Sequence, residues 1–239
     1  MTALPVNPYP DPPPGPTRGS PPPPLENGDR LSRAEFERRY RAMPDVKKAE
    51  LIEGIVHMPS PVRFKRHGKP HMILSGWLVH FLARTPGLEL FGDNSTVRLD
   101  EDNEYQPDLL LALPPAAGGG MRVDPDDYLT GPPDLACEVA ASSASIDLHA
   151  KMNVYRRNRV REYLVWRVDD AAVQWFVFRD GEYAPITVAD DGLLKSTVFP
   201  GLWLDPAALL AGDLPRLLHA IDKGTATPEH ASFVAKLKL

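Results

Sequence analysis

A mixed α/β domain with an antiparallel extension is what this 239-residue sequence predicts, and three observations carry that expectation. Two short, nearly continuous apolar runs, LLLAL at 109–113 and LACEVA at 135–140, have the make-up of central strands covered on both faces. Segments with apolar residues at helical spacing stand before and after them. Three runs rich in β-branched and aromatic residues, joined by acidic turns, then fill residues 162–188.

Taken in order, the chain begins with a tail in which eleven of the 27 prolines fall within the first 24 residues. Fixed φ angles and missing N–H donors exclude helix and sheet there, so residues 1–30 are expected to be a disordered, polyproline-like segment. Order should begin near Leu31. Ser32 followed three residues later by Glu35 fits a capping box opening a helix that runs to about Ala42. AELIEGIVHM at 49–58 reads as one strand. HMILSGWLVHFLAR places Leu74, Trp77, Leu78, Phe81 and Leu82 on one helical face, and Thr85-Pro86-Gly87 ends that helix.

LELFG, STVRL and QPDLLLAL follow as strands, PPAAGGG as a flexible loop, and GPPDLACEVAA as a second central strand. SIDLHAKMNVYRRN reads as a helix with Leu148, Met152 and Tyr155 in a stripe. EYLVWRV, AVQWFVF and GEYAPITV are antiparallel strands turning at Asp169-Asp170 and Asp180-Gly181. A short helix from Pro206 to Ala211 closes a domain spanning 31–212, and residues 213–239, including LPRLLHAI, read as a helical C-terminal appendage.

Composition narrows the function classes. Hydrophobic residues make up 43% of the chain, enough for one full core. A single cysteine, Cys137, excludes an internal disulfide framework and a cysteine-based zinc site. The N-terminus lacks a secretory pattern and apolar runs such as WLVHFLA are too short to span a bilayer, so a cytoplasmic location is expected. The formal net charge of -5 repels nucleic acid overall, so any contact with it must be local.

Chemistry concentrates on the two apolar strands. Asp108 opens LLLAL and Glu138 stands inside LACEVA, where a lone carboxylate is costly to bury without compensation. Were the strands neighbours, both acids and the backbone carbonyl of Val139 could converge on Mg²⁺ or Mn²⁺, hard cations that suit an oxygen set. Lys151, four residues beyond Asp147 and on the border of the helical stripe, could extend its ammonium toward them. Each feature also has an ordinary explanation: Pro-Asp commonly begins a strand, Asp147 and Lys151 can be a surface i,i+4 pair, and Glu138 can face outward at an edge.

ELIEG at 50–54, the HMPSP segment after it, QPD at 106–108, EVAASS at 138–143, DLHAK at 147–151 and YRRNRVREYLVW at 155–166 resemble the Uma family of endonuclease-like proteins, placed in the restriction-endonuclease-like PD-(D/E)xK superfamily. The resemblance covers about 31–210. It implies a restriction-endonuclease-like core, a mixed sheet flanked by helices, with Mg²⁺ held by Asp108 and Glu138, a lysine near the scissile phosphate, and DNA as partner. Ala140 stands where the simple motif has lysine, so Lys151 has to serve from the helix. Glu50 matches the family's first acidic position, which implies a supporting carboxylate.

Other features rank below these. His67 and His71 are four apart at a helix start, where a substrate-facing or solvated role fits better than metal ligation. Arg63, Lys65, Arg66 and Lys69, with Arg156, Arg157, Arg159 and Arg161, are either a solvated face or a phosphate-gripping rim. Trp166, Trp175 and Trp203 read as core or interface anchors. Pairing of an antiparallel edge, or of the LVW and WFVF strands, across a two-fold axis suggests a homodimer. The leading expectation is therefore a Mg²⁺-dependent endonuclease acting on DNA; the alternative is a catalytically inactive nuclease-fold binding or assembly module.

Overall fold

The structure, a computed structural model, describes residues 21–58, 63–92, 95–141 and 147–237. The proline-rich residues 1–20 lie outside them. Within the described part of the expected tail, Leu25 is buried, the Gly28 N–H donates to the Val56 carbonyl, and Arg30 bridges Ile55. Order therefore begins upstream of Leu31, because Leu25 joins a small core with Phe36, Ala49, Leu51 and Val56.

Ser32 caps α1 (Arg33–Arg41) by accepting from the Glu35 N–H. The box is not reciprocal, since the Glu35 carboxylate turns to Arg38 and Arg39. The single strand expected at 49–58 is a hairpin, β1 (Glu50–Ile52) and β2 (Ile55–His57). Glu53 and Gly54 both adopt positive φ, 52° and 72°, which makes a two-residue reversal whose twist suits the flanking strands. Asn103 Oδ1 accepts the Glu53 N–H at 2.8 Å and holds that conformation.

A π-helical turn, Phe64–Gly68, leads into α2 (Lys69–Leu82). Leu74, Trp77, Leu78 and Phe81 are buried as their spacing predicts. The strands β3 (Glu89–Gly92), β4 (Val97–Asp100), β5 (Asn103–Tyr105), β6 (Leu109–Ala112), β7 (Arg122–Val123), β8 (Leu129–Thr130) and β9 (Leu135–Ala140) follow. The PPAAGGG segment is packed, not loose: a Cβ on Gly119 would sit 1.8 Å from the Leu113 carbonyl oxygen, so only glycine fits.

A second π-helical turn, Asp147–Lys151, runs into α3 (Met152–Arg157); the start of the helix expected from Ser145 lies outside the described residues. β10 (Glu162–Arg167), β11 (Ala172–Arg179) and β12 (Glu182–Pro185) form the antiparallel extension, and β13 (Leu194–Lys195) pairs with β14 (Trp203–Leu204). The chain ends in α4 (Pro206–Ala211), α5 (Leu214–Thr225) and α6 (Pro228–Leu237).

The fold is mixed α/β, with two six-stranded sheets. One has the order β12-β11-β10-β9-β6-β3 and the other β2-β1-β5-β4-β8-β7. In the first, β9 and β10 are parallel and β6 pairs β9 antiparallel, Leu109 opposite Cys137. Odd-numbered residues of β6 and β9, with Leu164 and Trp166, pack against Leu74, Trp77 and Leu78 of α2. Even-numbered Leu110, Ala112, Ala136 and Ala140 pack with Tyr155, Tyr163 and, from the second sheet, Ile52, Val97 and Tyr105. α5 and α6 supply Leu217, Ile221 and Leu237 to the α2 side of this core, so the segment expected as an appendage shares the main packing.

β10 lies between β9 and β11, and β11 between β10 and β12. Both edges of the LVW and WFVF strands are taken, so these two strands are not free to pair across a two-fold axis, whereas β12 and β3 are the edge strands of the sheet. Trp175 and Trp166 are buried and Trp77 meets Trp175 edge to face at 5.8 Å, so these rings are core.

Candidate active site

Alternation along the strands places two acids on one face. Asp108 continues the even series of Leu110 and Ala112, and Glu138 sits between Ala136 and Ala140 in the next strand. Both side chains therefore enter the layer between the two sheets, where α3 also packs. Asp108 is 3% exposed and Glu138 4%.

Asp108 is held from two sides. The Val139 N–H donates to Oδ2 at 2.7 Å, and His67 Nε2 lies 3.1 Å from Oδ1. His71 Nε2 lies 3.2 Å from the Asp108 carbonyl, with its ring stacked on His67 at 5.8 Å. Burial pushes the Asp108 carboxyl upward, but the His67 and Val139 hydrogen bonds and the Lys151 charge outweigh it and hold the pKa below the usual range. Ala140 accepts the Val168 N–H on the β10 side. By strand alternation the Val139 carbonyl points the other way, toward the edge on which Asp108 stands.

Glu138 Oε1 accepts from Lys151 Nζ at 3.1 Å and from Tyr155 OH at 3.1 Å. One helical turn separates these two donors, so the strip that packs α3 on the sheet also clamps the carboxylate. Lys151 Nζ lies 3.4 Å from Glu50 Oε1 and 3.5 Å from Asp147 Oδ1. Glu50 Oε1 in turn accepts the Gln106 N–H at 3.0 Å, and Tyr163 OH donates to the Asp147 carbonyl at 3.0 Å. The Asp147–Lys151 pair is thus buried, contrary to its surface interpretation.

One ammonium is shared among three carboxylates, which sets the electrostatics. Burial raises the Glu138 pKa to about 8; Lys151 opposes the shift, while Asp108, Asp147 and Glu50 add to it. Burial alone would discharge Lys151, yet Glu138, Glu50 and Asp147 hold its pKa well above the ordinary lysine value. His57, opposite Glu50 in the β1–β2 hairpin, is held low chiefly by burial and also by Lys151.

A family model named Uma2 and described as "Putative restriction endonuclease" matches residues 33–207. The chain belongs to the Uma2 family. No curated protein matches it. A crystal structure described as "a putative nuclease belonging to DUF820" from Anabaena variabilis aligns over 73% of this chain and 92% of its own, at 12% identity and a TM-score of 0.48.

In this Uma2 chain the expected residues Asp108, Glu138, Val139, Lys151 and Glu50 all border one buried polar cluster. Among the described residues, no three histidine, cysteine, aspartate or glutamate side chains form a ready metal cage. Sequence reasoning missed His67 as the partner of Asp108 and Tyr155 as a partner of Glu138. The only signal for Tyr155 was its position one turn after Lys151; for His67 there was none, since 41 residues separate it from Asp108. Of the second basic cluster, Arg156, Arg157 and Arg161 pair with Glu182, Glu53 and Asp134, so most of that charge is locally neutralised. Cys137 is buried and its thiol is pushed well up by burial and by nearby carboxylates, in keeping with a structural role. No helix among the described residues is long and apolar enough to cross a membrane.

Proposed function

We propose that this protein is a divalent-metal-dependent nuclease, with Mg²⁺ or Mn²⁺ as its ion and the phosphodiester bonds of DNA as its target. The observation that carries the reading is the contact of Lys151 with Glu138 on the face that also bears Asp108. The donor chemistry fits such an ion: the side chains are carboxylates, Cys137 on the same strand is committed to the opposite core, and one ammonium leaves the cluster anionic. Asp108, Glu138 and the Val139 carbonyl would hold it, a set of two side chains and one backbone oxygen that needs no third acidic ligand, with water completing the shell. When bound, the ion supplies Lewis acidity toward a phosphate oxygen and lowers the pKa of an attacking water.

The chain's own groups then have distinct tasks. Lys151 brings a permanent positive charge that can stabilise charge developing on the phosphate. Glu50, tied to the Gln106 N–H, and Asp147 keep that ammonium directed at Glu138. Tyr155 fixes the Glu138 carboxylate and His67 fixes Asp108. Ala140 occupies the position of the usual motif lysine, and Lys151 supplies the same charge from the helix.

Plasmid and single-stranded DNA incubated with Mg²⁺ or Mn²⁺ test this reading beside Asp108→Ala and Lys151→Ala. Nicking by the parent and its loss in both variants is the expected result; equal nicking in all three would remove the assignment. One observation favours a second reading, a noncatalytic binding module: Lys151 is only 5% exposed and already holds three carboxylates. Calorimetric titration with Mg²⁺ separates the two, because the nuclease requires saturable binding that Glu138→Gln weakens.

A further inference from the structure

We propose that the π-helical turn and first turn of α2 form a docking strip for single-stranded nucleic acid, with Phe64 as a base-stacking platform beside the acidic pocket. The inference rests on the nuclease reading for its purpose but has its own evidence and its own test.

Phe64 is 72% exposed and Met72 67%, the two largest exposures among the protein's large hydrophobic side chains in the described residues. They are not isolated. A Cβ on Gly68 would lie 3.6 Å from Phe64 Cδ2, so the ring leans over Gly68, and Met72 follows four residues later. Four-residue spacing thus aligns Phe64, Gly68 and Met72 in one apolar row. Lys65 and Lys69 form the neighbouring row on one side, and Arg63, His67 and His71 the row on the other. The histidine row ends at the site, since His67 meets the Asp108 carboxylate and His71 its carbonyl.

Charge complementarity selects the occupant. The chain carries a net charge of -5, yet four cations fall within residues 63–69. Among the described residues Arg66 alone of these four makes a salt bridge, to Asp169, which leaves Arg63, Lys65 and Lys69 available to counter an anion. The Arg156–Arg161 cluster differs in this respect, because most of its members already face carboxylates. An exposed aromatic ring flanked by available cations fits a chain of phosphates with accessible base faces. A duplex hides those faces in its stack, so a single strand, or a strand opened at an end, is the partner that uses both features. The polyanion would cross the cationic rows, with one base on Phe64 and the adjoining phosphate led past His67 toward Asp108.

Fluorescence anisotropy of labelled oligo(dT) and of a blunt duplex, both in EDTA so that no hydrolysis intervenes, tests the strip. Phe64→Ala should weaken oligo(dT) binding roughly 5- to 100-fold, as removal of one stacked base does, and Phe64→Trp should restore it. The duplex should bind more weakly than oligo(dT) and respond little to Phe64→Ala. Replacing Arg63, Lys65 and Lys69 together by Gln should lower the slope of log affinity against log salt by about 2, near 0.7 for each phosphate that is no longer neutralised. Oligo(dT) binding unchanged in Phe64→Ala, or a duplex preference equal in parent and variant, would overturn the proposal. Those outcomes would leave metal-dependent nicking and its loss in Lys151→Ala untouched, whereas failed nicking with intact Phe64-dependent binding would remove the nuclease and keep the strip.

Discussion

Lys151 Nζ lies 3.1 Å from Glu138 Oε1, a contact between the end of a π-helical turn and the middle of a central strand, with both groups buried. The same ammonium reaches Glu50 and Asp147, so it is the one positive charge that three carboxylates share within 3.5 Å. Removing it takes away the cation that opposes the rise of the Glu138 pKa, so the buried acids must either take up protons or repel one another. Lys151→Met is therefore expected to lower stability by about 3–5 kcal/mol in urea denaturation. Adding Glu138→Gln to that variant should recover part of the loss, because the amide is neutral without taking up a proton. A double variant whose loss equals the sum of the two single losses would show that the pair is not coupled.

His67 is the side chain whose removal should act on the site through Asp108. With His67→Ala the Asp108 carboxylate keeps the Val139 N–H but loses a donor to Oδ1. A carboxylate that has lost such an orienting partner typically binds a cation about 10- to 100-fold more weakly. Calorimetric titration with Mn²⁺ should show that drop, with the urea midpoint far less affected than in Lys151→Met. An unchanged affinity would mean that Asp108 is held by the strand alone.

The candidate cluster is legible in the sequence where the clues are local or compositional. Asp108 and Glu138 stand out because an acid inside an apolar strand demands compensation, and Lys151 because the four-residue step from Asp147 puts both at the edge of a packing stripe. What closes the cluster is not local. The second sheet is largely hidden, since β5, β7 and β8 are two or three residues long and carry no period that a sequence window can read. Its first hairpin reads as one strand because LIEGIV is apolar on both sides of the turn, although Gly54 marks the reversal. Asp147 and Lys151 resemble a surface pair for the same reason: without the second sheet, nothing indicates that Glu50 reaches Lys151.

α5 offers a direct test of how far the core extends. Leu217 is fully buried in the cluster that contains Trp77, Leu78 and Phe81, while its sequence surroundings suggest a separate appendage. A buried leucine cut to alanine costs about 2–5 kcal/mol, the higher values applying where the site cannot collapse. Leu217→Ala should fall in that range and move the whole urea transition without splitting it. A change under about 0.5 kcal/mol would mark α5 as a loosely attached element.

Glu104 gives the clearest pH dependence away from the candidate site. Burial is the main cause that raises its pKa to about 7, helped by a hydrogen bond and charge from Glu37, with Arg98 and Arg33 opposing. The folded state therefore holds this proton more tightly than the unfolded chain does, whose carboxyl titrates at the ordinary value of 4.5. The stabilising contribution is complete below pH 4.5 and is lost as pH rises through about 7. A shift of this size corresponds to a loss of roughly 3 kcal/mol over that window. Glu104→Gln keeps a donor for Glu37 and an acceptor for Arg98 but has no proton to lose. The variant should match the parent near pH 4.5 and exceed it in urea stability above pH 7, with a flatter profile between. A parent whose advantage over Glu104→Gln grows with pH would show the opposite, that the ionised carboxylate is what Arg98 stabilises.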